Sequence, residues 1–395
     1  SSAATATVTP TTDSTEVPAS NNVFTSAGDG LYVTTDSGIY ELQTVFPDSA
    51  NIFYTDANTK ERIFLCANPN CTHADESCPS YIATPSAMFP PMLLRVGDQL
   101  LVVFTEATDS SNPHGMLMNM DGSNRRTVFE LASNQYMQGG FCTSGNDLYF
   151  DLYEINDSGN VTYQLWYVSF ENGTSEKVMD LGSDSDHYSL CDGVNNELCF
   201  NHLSSDGISY CMYNPQSKTI SDPFFVDSSV SGNSMIQDGY LFVLDEQASS
   251  VQRIRLSDEE QASASFTVKE GFGAPSMRYL FDGNLMITEA QTTASDIPTD
   301  GSYGVCSYIL DFGTRNCTEF TLQTPYNNRP VYVLTTIGDA CYVATDYKTY
   351  TPTSVSEDGT VSNFDYVANI YAFITKQDYI NSNQNGYSMV KDAFE

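Results

Sequence analysis

One short unit recurs along this chain and limits what it can become: a turn of Gly, Asp or Asn that leads straight into a strand of alternating aromatic and aliphatic residues. Its copies open at Gly28-Asp29-Gly30-Leu31-Tyr32, Gly97-Asp98-Gln99-Leu100-Leu101, Gly145-Asn146-Asp147-Leu148-Tyr149, Asn195-Asn196-Glu197-Leu198-Cys199, Asp238-Gly239-Tyr240-Leu241-Phe242, Asp282-Gly283-Asn284-Leu285-Met286 and Gly338-Asp339-Ala340-Cys341-Tyr342. Most lie roughly 43 to 56 residues apart, with a longer first interval of roughly 70, and about that many residues make one four-stranded antiparallel blade. Each launch is followed by another strand and turn, as in Leu165 to Phe170 before Glu171-Asn172-Gly173, Ser209 to Tyr213 before Asn214-Pro215, and Tyr308 to Phe312 before Gly313.

Alternation with polar turns every 8 to 12 residues predicts β-structure throughout. Two stacked sheets would show the same alternation, but a unit of this size repeated about seven times suits radial blades better. The expected fold is therefore all-β, a single β-propeller of seven four-stranded blades over residues 23–395, with six or eight blades as the alternatives. Pairing of the two chain ends would close such a ring, so Val23 to Thr25 is expected to complete the last blade beside Val367 to Ile374. Helix is expected only at Asp258 to Ala264, for a turn or two.

Residues 1–22 are almost wholly Ser, Thr, Ala, Pro and Asn, a composition that cannot bury enough apolar surface to order itself, and they read as a disordered tether. A lipid-anchored surface protein carries such a spacer behind its acylated N-terminus, so the expectation is an exported, tethered protein whose signal and anchor precede Ser1. Ten cysteines fit an oxidising compartment better than a reduced cytosol. The most hydrophobic stretch, Met92 to Phe104, is broken by Arg95, Gly97, Asp98 and Gln99 and is no membrane span. With 16 Lys and Arg against 50 Asp and Glu, the formal charge is -34. A polyanion is repelled, which argues against nucleic acid as a partner and against basic docking on anionic membranes.

Two segments carry a family resemblance. Gly115-Met116-Leu117-Met118-Asn119-Met120-Asp121-Gly122-Ser123-Asn124-Arg125-Arg126 is similar to the repeat of TolB-type propellers, in which a strand ends in Asn-x-Asp-Gly-Ser before a basic residue. Ile63-Phe64-Leu65-Cys66-Ala67-Asn68-Pro69-Asn70-Cys71-Thr72-His73-Ala74-Asp75-Glu76-Ser77-Cys78-Pro79-Ser80-Tyr81 resembles a motif in propeller lipoproteins of anaerobic Gram-positive bacteria, where it follows a first hairpin and precedes the repeats. The order agrees here. The resemblance implies fold and a surface location, but that family brings no settled activity with it.

Cys66, Cys71, His73 and Cys78 form the one constellation with chemistry in it. Three thiolates and an imidazole could bind zinc tetrahedrally; alternatively, two of the cysteines pair as a disulfide that clips the loop at about 66–81, or the thiols stay free. Cys199 with Cys211, and Cys306 with Cys317, flank hairpin turns and are candidate disulfides, whereas Cys142, Cys191 and Cys341 have no obvious local partner. His114, His187 and His202 sit in no recognisable nucleophile pairing, and no G-x-S-x-G turn occurs. Ser356-Glu357-Asp358-Gly359-Thr360 reads as a hairpin tip. Asp184-Ser185-Asp186 and the Asp-Gly turns offer oxygens to calcium without a full binding loop. Trp166 is the only tryptophan, although 25 tyrosines could stack on sugars in its place.

The expected role is a surface-anchored module that binds or scaffolds an extracellular ligand or surface protein through its loops. The alternative is an extracellular hydrolase or lyase acting on a polysaccharide or cell-wall substrate, whose signature would be a cluster of convergent carboxylates or a metal at the mouth of the central channel. A purely structural part in a surface complex is the third possibility, and its signature would be a broad apolar patch.

Overall fold

The computed structural model describes residues 24–26, 30–46, 49–84, 89–227, 233–292, 304–350, 353–355, 361–363 and 366–393. The tether 1–22, Val23, the Gly28-Asp29 start of the first launch and the Ser356 to Thr360 tip lie outside them.

Antiparallel strands dominate, in seven up-and-down meanders among the described residues, divided between two compact units. One unit comprises Ser1–Gly30, Pro85–Gly232 and Gln237–Gly239. Its first meander is Met92–Val96, Gln99–Phe104, His114–Asn119 and Arg126–Glu130. Its second is Gln135–Ser144, Asp147–Ile155, Val161–Ser169 and Thr174–Ser183. The third, Asp186–Val194, Glu197–Ser204 and Gly207–Asn214, carries two short strands on its last edge. The second and third are continuous through the pairs Gly182↔His187 and Ser183↔Asp186.

The other unit comprises Leu31–Thr84, Asn233–Ile236 and Tyr240–Glu395. Its meanders begin at the strands Tyr32–Thr34, Ser234–Gln237, Phe272–Tyr279 and Val333–Ile337. The fold class is thus all-β and built from the four-stranded meanders of propeller blades, as the repeat predicts.

The recurring turns work through backbone conformation. Gly97, Gly145, Asn195, Asp238, Asp282 and Gly338 all take a positive φ between 52° and 60°, a region open to Gly and tolerated by Asn and Asp. In six meanders the launched strand is the second; in the first it is Tyr32–Thr34, the opening strand.

Alternation then assigns each residue to a face. From the strand Asp147–Ile155, Leu148, Phe150 and Leu152 enter a core with Leu101, Val103, Leu117 and Phe141, while Tyr149 enters one with Leu165, Leu198, Phe200 and Tyr213. In the other unit, Met286 and Leu285 of one strand separate in the same way between two cores. A strand apolar on both faces is a blade packed on both sides, and each such side chain contributes about 1.5–3 kcal/mol of transfer free energy.

Two expectations fail. Thr25–Ser26 pairs with Cys142 and Thr143 rather than with the last sheet. Phe24 is buried edge-on against Tyr149, and its amide donates to the Asn195 carbonyl. The strand Tyr366–Thr375 takes Ser388–Met389 as its outer neighbour instead. Asp258 to Ala264 is a turn followed by the strand Gln261–Ser265: Glu259 has φ +57°, and Asp258 bonds the Glu260 amide and Arg255. Among the described residues the one α-helix is Lys376–Ile380, capped by Thr375, whose hydroxyl accepts from the Asp378 amide; a single 3-10 turn, Gln384–Gly386, follows it.

The C-terminal segment joins the first sheet through a buried cation. Arg62 is 2% exposed, and its guanidinium donates to Glu41 (3.0 Å), Gln43 (2.6 Å) and Asp392 (3.1 Å). It also lies 3.7 Å over the Phe53 ring. The Arg62 amide bonds the Lys391 carbonyl, and Tyr371 donates its hydroxyl to Glu41.

Candidate functional site

The strand Ser49–Asp56 pairs with Arg62–Phe64 (Phe53↔Phe64) and further along with Tyr81–Ala83 (Asn51↔Tyr81). Residues 65–80 therefore leave a strand edge and return to it, and they contain neither strand nor helix. Structureless stretches longer than about 12–15 residues are uncommon inside domains and are either functional or linkers; this one is held at both ends on a single strand, unlike a linker. Ala67 to Asn70, Thr72 and Ala74 to Ser77 are exposed, whereas Leu65, Cys78 and Ser80 are buried.

Inside this loop the structure brings together all four residues singled out in the sequence. The ligand atoms of Cys66, Cys71, His73 and Cys78 lie within 4.8 Å of one another. His73 Nδ1 is 3.2 Å from Cys78 Sγ, and the His73 amide donates to Cys71 Sγ at 3.4 Å. Residues two apart can both face inward because His73 adopts φ +56°, which kinks the chain.

Residues without a signal in the sequence hold the cluster in place. The His73 ring stacks on Phe64 at 4.1 Å and 8°. Asn51 Nδ2 donates to the His73 carbonyl and to Ser80 Oγ, both at 3.0 Å. Ser80 Oγ is 3.1 Å from Cys78 Sγ. Asn51 lies 22 residues before His73, so no local pattern could have flagged it; Phe64 and Ser80 flank the motif but look like ordinary strand and turn residues.

The thiols are electrostatically unlike. Burial opposes ionisation of Cys78, yet hydrogen bonds with Ser80 and His73 overcome it and bring its pKa down to about 6. Burial, helped by the Cys78 and Cys71 thiols, pushes Cys66 up to about 11. Hydrogen bonding thus favours the thiolate at Cys78, and burial favours the thiol at Cys66.

The other candidates do not converge. Cys211 sits opposite Phe200 and Cys199 opposite Met212, so the two sulfurs point to opposite faces of their sheet. Cys317 pairs with Leu310, four residues along the strand from Cys306 and hence about 13 Å away. All ten cysteines are unbridged; Cys142 and Cys341 are buried, and Cys191 is half-buried. His114 bonds the Asn112 carbonyl (2.7 Å) and stacks on Phe104, His187 stacks on Tyr163 at 3.8 Å, and His202 bonds Asp186 at 2.6 Å. Asp186 is thereby engaged, and Asp184-Ser185-Asp186 forms no three-ligand group; among the described residues only the Cys/His set does. Trp166 donates to Gln164.

No family model matches the chain, and no curated protein matches it. Among solved structures, it is similar to TolB from Acinetobacter baumannii (9% identity, 93% of this chain and 79% of that one, TM-score 0.35). It is also similar to an oligogalacturonate lyase from Vibrio parahaemolyticus (10%, 89% and 91%, 0.41) and to the tricorn protease (10%, 87% and 35%, 0.33). The chain thus spans 35% of the tricorn protease's length.

Proposed function

We propose that this chain is an exported, surface-tethered binding or scaffolding module, and that the loop 65–80 is part of the surface it offers to an extracellular ligand or surface protein. The observation that carries this reading is the loop itself: a long stretch without regular structure, anchored at both ends on one strand, its rim exposed and its interior held by converging side chains. Binding residues concentrate on loops fixed to a rigid scaffold. The Ser/Thr-rich segment 1–22 and the resemblance to tethered propellers support export, and the charge of -34 favours cationic or neutral partners over polyanions.

The test separates binding from turnover. Full-length protein is presented to a panel of cell-wall polysaccharides, peptidoglycan fragments and basic peptides, and both bound ligand and newly released chain ends are measured. Saturable binding without product is the expected result, with affinity about tenfold weaker, or ~1.4 kcal/mol, in an Asn70→Ala or Glu76→Ala loop variant. Catalytic release of product would replace this reading with the hydrolase or lyase alternative.

A further inference from the structure

We infer that Cys66, Cys71, His73 and Cys78 bind one Zn2+ in a closed tetrahedral site that staples the loop 65–80 onto the strand Ser49–Asp56. This inference does not depend on what the loop binds.

Four donors converge, which is the number a structural zinc requires. Zinc bonds of about 2.3 Å to sulfur and 2.0–2.1 Å to nitrogen place tetrahedral ligands roughly 3.5–3.8 Å apart. A group already within 4.8 Å reaches that arrangement by side-chain adjustments of under an ångström or so. A disulfide would use two sulfurs and leave the third beside an imidazole with nothing to bind. His73 pays for its position with a left-handed backbone, and Phe64 stacked on the face of its ring and Asn51 on its carbonyl restrict the direction of Nδ1. Neighbours that fix the orientation of a ligating imidazole are a general feature of metal sites. The donor set is soft, three sulfurs and one imidazole nitrogen, which selects zinc over calcium or magnesium. It leaves no position for water or substrate, so the site is structural rather than catalytic. Cys66 and Cys71 are half-buried and Cys78 is buried, so the ion enters from the rim. Each thiol still protonated releases its proton as zinc binds.

The experiment uses the full chain, purified reduced and dialysed against zinc, and weighed intact under native conditions with its thiols counted by alkylation. One zinc per chain is expected, with Cys66, Cys71 and Cys78 protected until a strong chelator is added. Cys71→Ser and His73→Ala should lose the ion, and Phe64→Ala, which removes no ligand, should bind it ~10–100-fold more weakly. Because a ligand variant can fail to fold, the wild-type chain is also loaded with cobalt(II), whose tetrahedral thiolate complexes absorb strongly in the visible. A metal-free mass with two of these cysteines linked overturns the inference, as does free alkylation of all three in the presence of zinc, or a cobalt-loaded protein without the tetrahedral spectrum.

Discussion

At the scale of single residues, the most exacting positions are buried charges. Arg62 donates to two carboxylates and one amide oxygen and is nearly inaccessible to water. Arg62→Ala would take the buried guanidinium from Glu41 and leave Asp392 only the more distant Lys348, and we expect a loss of about 3–5 kcal/mol in chemical denaturation. A loss below about 1 kcal/mol would mean that water already screens the pair. Asp151 offers a test by pH. Burial raises its carboxyl to about 7 despite hydrogen bonds from the Gly140 and Leu190 amides. The folded chain therefore keeps this proton up to about pH 7, while the unfolded chain gives it up near pH 4. The contribution of Asp151 is fully present below that lower value and declines as pH rises through about 7. In Asp151→Asn the fall in stability between about pH 4 and 7 should be shallower than in the wild type, whatever the absolute stability of the variant. Parallel curves would show that Asp151 titrates alike in both states.

At the scale of elements, the difference between what the sequence revealed and what it hid follows from the range of the interactions. The launching turns need φ above zero at a Gly, Asn or Asp, a demand met within two or three residues, so they could be read directly. The Cys/His loop was readable as a set of ligands because its donors lie within a dozen residues of each other, but its supports, Asn51 above all, come from a strand earlier in the chain. The expectation that Val23 to Thr25 joins the last sheet fails because the two-residue strand Thr25–Ser26 has no pattern of its own; its place is set by Phe24 fitting against Tyr149 and Gly193. A Cβ at Gly193 would sit 2.5 Å from Phe24 Cβ. Gly193→Ala should therefore release this segment, seen as faster proteolytic clipping near residue 24 with the remaining strands intact. The helix Lys376–Ile380 is too short for an apolar stripe, and its only trace in the sequence is a Thr three residues before an Asp. Thr375→Ala should cost about 1 kcal/mol by removing that cap. Asp258 to Ala264 is expected to hold a turn or two of helix, yet the Asp258 carboxylate folds back on Arg255 and the Glu260 amide and closes a turn instead.

At the scale of the whole molecule, the charge of -34 opposes every compact arrangement of the chain. Sodium chloride should raise the thermal midpoint from low ionic strength upward, because screening weakens this repulsion more than it weakens the buried Arg62 network. A midpoint that falls with salt would mean that exposed pairs such as Arg255 with Asp258 outweigh the repulsion. The Arg62 network also has a meaning in time. Arg62 and Asp392 are 330 residues apart, so a chain made from its N-terminus leaves the Arg62 guanidinium, already paired with Glu41, short of one acceptor until residue 392 has been delivered. A chain cut short before that point would keep an open, hydrated seam where Asp392 otherwise helps to enclose the guanidinium.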